Sequence, residues 1–140
     1  MYILDTNPIS VIERRGPNSE RLLARLGNVD ASTVYVTVVS YEEQIRGWTA
    51  AIAATRNTSA QVIQYARLLG QLETYCNRAI LPFSSDAAMR YDELRGRDRR
   101  ISSPDLKIAA IALENDATLV TQNQRDFQSI VGLKLEDWTR

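Results

Sequence analysis

Four acidic residues of this 140-residue chain, Asp5, Glu43, Asp105 and Asp126, fall where an α/β domain could gather them. Asp5 immediately follows the short apolar run Tyr2-Ile3-Leu4. Glu43 lies in the turn after residues 34–39 (VYVTVV), and Asp126 lies shortly after Thr118-Leu119-Val120-Thr121. Asp105 opens an apolar helix instead of closing a strand. Ligands of an open parallel sheet collect at the carboxyl ends of its strands, so four acids from four distant segments can meet at one edge. Their mutual repulsion calls for protons or a cation. Oxygen-only ligation selects a hard divalent ion, Mg2+ or Mn2+. Such a cluster suits metal-assisted attack of water on a phosphodiester.

Each acid also has an ordinary structural role open to it. Asp5 can cap a helix, and Glu43 can be the back-bonding member of a capping box begun by Ser40. Asp105 can favour a helix N-terminus electrostatically, and Asp126 can be a solvated turn residue. It is their joint placement at one edge that favours a shared task. Alternatives from other chemistry are few. The chain has no histidine and one cysteine, Cys76, which excludes histidine triads, Cys/His zinc sites and a disulfide framework.

The elements that must position these acids are legible from periodicity and caps. Residues 2–4 read as a buried strand leading into a helix, with Pro8 suited to the first turn. After a break at Arg15-Gly16-Pro17, residues 19–26 read as a helix with Leu22, Leu23 and Leu26 on one face. Residues 34–39 are the clearest strand. Ser40 looks like the cap of a helix over 41–53, and a second helix covers 58–76. Residues 80–83 form a strand interrupted by Pro82, and Ser84 or Ser85 caps a helix that fades into the charged stretch 95–100. Ser102-Ser103-Pro104-Asp105 opens a helix whose residues 106–113 are apolar nearly all round. Residues 118–121 and 133–135 are the last strands. The alternation predicts a single α/β domain over residues 1–140, with a mainly parallel sheet and helices on both faces. Its size suffices for a core without disulfides or a structural metal. The N-terminus shows no leader and no segment is long enough to span a membrane, so a cytoplasmic protein is expected. Zero net charge argues against coating a nucleic acid by bulk electrostatics.

The same residues resemble the PIN domains. Leu4-Asp5-Thr6-Asn7 looks like the opening of that family. So do the stretch from Val38 through Glu43 to Gly47, Ser103-Pro104-Asp105-Leu106-Lys107-Ile108-Ala109-Ala110, and Leu119-Val120-Thr121 running on to Asp126-Phe127, in matching order and spacing. The nearest likeness is to the VapC-like toxin ribonucleases of toxin–antitoxin pairs, and it spans the whole chain. The resemblance implies a three-layer PIN-like fold with a five-stranded sheet of order 3-2-1-4-5. It implies metal-binding, catalytic acids at Asp5, Glu43, Asp105 and Asp126, supported by Thr6, Thr121 and Asn123. Glu43 is chosen over Glu42 because the family's acid stands four residues before a glycine, here Gly47. A Mg2+- or Mn2+-dependent endoribonuclease with an RNA substrate, a cognate small antitoxin and a homodimer is implied. The chain departs from the family in having Ser102-Ser103-Pro104 where glycine is frequent, and the fourth acid, here Asp126, is the family's most variable.

Arg97, Arg99 and Arg100 could guide an RNA backbone toward the acids, or belong to a solvated loop balanced by Glu93 and Asp98. Trp48 and Trp138 are expected to pack in the core or a dimer rather than stack on bases. Two readings compete within the fold: a PIN nuclease without a toxin role, and a degenerate PIN module that only binds. A more distant one is an Asp-based phosphoacceptor signalling domain. That domain should carry paired acids before its acceptor strand and a lysine after its last strand, and this chain has neither. A dinucleotide-binding module would need a glycine-rich turn after the first strand, which is also missing.

Overall fold

The computed structural model describes residues 1–6, 8 and 16–140. Short apolar runs, each stopped by a polar or capping residue, give five strands: β1 (Tyr2–Leu4), β2 (Val34–Thr37), β3 (Ala79–Leu81), β4 (Thr118–Val120) and β5 (Lys134–Glu136). They form one sheet in the order β3-β2-β1-β4-β5, every neighbouring pair parallel. Tyr2 is in register with Val34 on one side and Thr118 on the other, so the first strand is the middle of the sheet. The described helices are α1 (Pro17–Gly27), α2 (Val38–Ala54), α3 (Thr58–Cys76), α4 (Ser85–Arg97), α5 (Ser103–Glu114) and α6 (Gln124–Phe127).

Side chains alternate across a strand, and the two faces of this sheet accordingly carry two cores. Ile3 and Leu119 pack with Ala87 and Leu94 of α4 and with Leu106, Ile108 and Ile111 of α5. On the opposite face Leu4, Val34, Val36 and Val120 pack with Leu22 of α1, Tyr75 of α3 and Trp138. These are the expected three layers. Trp138 is 2% exposed. It meets Tyr2 edge-on with ring centroids 4.9 Å apart, and its Nε1–H donates to Glu136 at 2.6 Å, so it belongs to the core as expected. Trp48 is partly covered, with the Arg67 guanidinium 5.9 Å from its ring centre.

The caps explain where elements begin. Ser84 Oγ accepts the Ala87 N–H at 3.1 Å, and Ser102 Oγ accepts the Asp105 N–H at 3.3 Å, as their sequence contexts suggest. One expectation is corrected. Ser40 does not cap α2; Thr37 does, its hydroxyl accepting the Ser40 N–H at 3.1 Å. The strand therefore stops at Thr37, and Val38 and Val39 form the first helical turn. The hydroxyl satisfies an N–H that the helix start would otherwise leave unbonded, and this outweighs the β-preference of two valines. The capping-box role for Glu43 falls with it. Smaller shifts occur elsewhere: β3 ends before Pro82, β4 at Val120, and β5 begins at Lys134. The helix expected around Pro8 lies largely outside the described residues. No described helix is long and apolar enough to cross a membrane.

Candidate active site

Strand order reverses between β1 and β4, and the crevice beyond their carboxyl ends is where an open sheet receives ligands. Asp5 sits at that point. Its N–H donates to the Val120 carbonyl at 3.0 Å, continuing the ladder past the end of β1. The residue is only 4% exposed. Its Oδ1 accepts the Thr6 N–H at 2.8 Å, and its Oδ2 accepts the Thr121 hydroxyl at 2.8 Å. Thr121 Oγ1 in turn accepts the Asn123 N–H at 3.1 Å. On the other side the Thr6 hydroxyl donates to Glu43 Oε1 at 3.1 Å. A continuous hydrogen-bonded chain thus runs Asn123–Thr121–Asp5–Thr6–Glu43. Thr6 and Thr121 bond to the acids directly, whereas Asn123 reaches them only through its backbone N–H to Thr121.

The choice between the two adjacent glutamates follows from helix geometry, which turns successive side chains about 100° apart. Glu42 points outward and ion-pairs with Arg46 one turn on. Glu43 is half-buried and faces Thr6. One turn along the same face, Gly47 leaves open space, since a Cβ there would meet nothing within 4 Å. Asp105 is half-buried in the first turn of α5. Asp126 is exposed on α6, its N–H bonded to the Asn123 carbonyl at 3.0 Å.

The electrostatics link all four acids. Burial pushes the Asp5 carboxyl up to about 6; the bonds from Thr6 and Thr121 oppose this, and the charges of Asp105 and Asp126 add to it. Glu43 is raised by burial, against the Thr6 bond, with further contributions from Asp105, Asp5 and Glu42. Asp105 is raised by burial and by Asp126, with Ser102 opposing. The acids are therefore close enough to repel. Among the described residues, however, no three His, Cys, Asp or Glu side chains stand close enough to hold one ion between them. They form an acidic edge rather than a closed cage. An all-oxygen donor set around a buried carboxyl of raised pKa fits a hard divalent cation. Mg2+ in particular is commonly held by one or two carboxylates and several waters.

Arg97 ends α4, and Arg99 and Arg100 follow it, all exposed. Arg100 binds Asp98 through its N–H at 2.9 Å and its Nε at 3.4 Å, while Asp98 also accepts the Ser129 hydroxyl at 3.0 Å. The loop is thus at least partly self-balanced by Asp98. Sequence reasoning missed a buried pair beside Thr6, Gln44 and Gln71. Glutamine in a helix reads as a surface residue, and the one available signal was that Gln44 adjoins Glu43.

A family model for the PIN domain matches residues 2–133. The chain belongs to the PIN-domain family. This PIN domain is 31% identical over 144 residues to Ribonuclease VapC1 of Haemophilus influenzae, covering 100% of this chain and 99% of the relative. It superimposes on the solved structure of FitAcB from Neisseria gonorrhoeae with a TM-score of 0.75 at 28% identity, over 99% of this chain and 98% of that one. DNA-bound VapBC from Salmonella typhimurium gives a TM-score of 0.75 at 25% identity, over 98% and 97%.

Proposed function

We propose that this PIN domain is a Mg2+- or Mn2+-dependent endoribonuclease that hydrolyses RNA phosphodiester bonds as the toxin of a toxin–antitoxin pair. The hydrogen-bonded chain that clamps buried Asp5 between Thr6 and Thr121 at the sheet's switch point carries this reading. Asp5 and Glu43 would hold the cation, with Asp105 and Asp126 completing the acidic edge directly or through water. A cation held there would supply polarisation of a phosphoryl oxygen and a lowered pKa for attacking water. Thr6 and Thr121 keep the carboxylates oriented, and the burial of Asp5 restricts competing water. Arg97, Arg99 and Arg100 would contact the RNA backbone.

The ribonuclease relative and the VapBC neighbour support this activity and a cognate antitoxin. An exposed apolar stripe on α3, Val62, Tyr65, Leu69 and Leu72, supports a protein partner as well, because sizeable apolar patches mark interaction surfaces. A homodimer working in the cytoplasm completes the proposal. Purified protein with Mn2+ should cut RNA, and a chelator should stop it. Co-purification with the small protein encoded beside it should suppress the activity. RNA left intact by folded, Mn2+-loaded protein would leave only a binding module.

A further inference from the structure

Two glutamines lie buried against the site with no part in the chemistry above, Gln44 at 8% and Gln71 at 2% exposure. Burying an amide without partners is costly, so their bonds indicate what they are for. Gln44 follows Glu43 in α2, and its Nε2 donates to the main-chain carbonyl of Thr6 at 3.4 Å. Its Oε1 accepts from Nε2 of Gln71 in α3. Thr6 is therefore committed through three polar groups. Its N–H holds Asp5, its hydroxyl holds Glu43 and its carbonyl is held by Gln44. Two consecutive residues of α2 grip it from different directions, which fixes the tilt of the peptide as well as its position. Gln71 Oε1 meanwhile has no hydrogen-bond partner. Native structures leave few such buried acceptors, and this one belongs to the residue that anchors Gln44.

We infer that Gln44, anchored by Gln71, is a positioning residue for the divalent cation. By fixing the main chain at Thr6 it sets the separation of the Asp5 and Glu43 carboxylates. The inference rests on the metal-dependent reading of the site. A pair that served packing alone would affect folding stability and leave metal affinity unchanged.

The double substitution Gln44→Met/Gln71→Met separates the two. It removes both members of the pair at similar volume and takes one donor from the Thr6 carbonyl, so its cost to stability is modest. Gln71→Met alone leaves Gln44 in place but unanchored. Metal-free wild type and both variants would be titrated with Mn2+ by calorimetry, and their melting temperatures recorded without metal. The double variant should melt within a few degrees of wild type and bind Mn2+ about tenfold more weakly, as loss of a residue that orients a ligand does. Gln71→Met should fall between them. Because the acids are intact, kcat for RNA cleavage should recover when Mn2+ is raised in proportion. Unchanged Mn2+ affinity in a folded variant overturns the inference, and should the double variant fail to fold, Gln71→Met decides alone. If wild type itself binds no Mn2+, the metal reading fails too, and the wild-type titration shows that separately.

Discussion

The two halves of the acidic edge are built differently. Asp5 and Glu43 are tied together through Thr6, and Asp5 is braced again by Thr121 across the central strands. Asp105 and Asp126 sit at the starts of α5 and α6, the first half-buried and the second exposed. One half is a hydrogen-bonded frame that joins its two carboxylates through Thr6. The other acts on it mainly through space, by raising the Asp5 and Glu43 carboxyls. For the function proposed above, in which a small cation is held while a bulky polyanion enters, this division would leave only the outer half to yield.

The largest effect should come from removing the charge at the centre of the frame. Asp5→Asn should lower cleavage by at least about 100-fold, beyond the range typical of residues that only orient a ligand, with the fold intact. The same variant tests the cost of the buried carboxyl. A carboxyl whose folded pKa is raised from 3.8 to about 6 contributes stability that is present below pH 3.8 and lost as pH rises through about 6. Roughly two units correspond to about 3 kcal/mol. Metal-free wild type should thus melt higher at about pH 5 than at about pH 7.5. Asp5→Asn should flatten much of that slope, leaving the smaller contributions in the same direction from Glu43 and Asp105. Equal slopes in the two proteins would show that Asp5 is not the strained group.

An intermediate effect is expected at α2. Saturating Mn2+, at about 100 times its dissociation constant, should stabilise the protein by roughly 2.7 kcal/mol, several degrees of melting temperature for a domain this size. Glu43→Gln should remove much of that shift, whereas Glu42→Gln should keep it, because Glu42 is engaged with Arg46 outside the site. Equal shifts in both variants would show that the two glutamates do not differ toward the metal. The smallest effect belongs to the outer half. Asp126→Asn should weaken cleavage by about tenfold or less, and a loss matching that of Asp5→Asn would mean the halves are not different.

The sheet and its helices were legible because each element obeys its own local rule. Ser84 and Ser102 cap where serine should, and residues 106–113 are apolar because α5 is buried. The strand order came from resemblance, since strands of three or four residues carry no information about their neighbours. Local rules failed where two competed, as at Thr37 and Ser40, either of which could cap α2. The acids were legible by position after strands. Their roles became distinct only with the threonines between them, because the bonds of Thr6 and Thr121 span 37 and 116 residues of sequence. Gln44 offered only its place beside Glu43 as a signal and Gln71 none, for a buried amide pair looks like two surface residues until the helices are packed.

That last separation has a consequence for the newborn chain. Asp5 emerges from the ribosome 116 residues before Thr121, whose hydroxyl braces it. At typical elongation rates of about 5–20 residues per second, that interval is on the order of ten seconds. Until it ends, β1 can pair only with β2, and its other edge waits for β4. Contacts this distant are also slow to close. A chain that has not yet reached Thr121 therefore lacks both the brace on Asp5 and the pairing of β1 with β4.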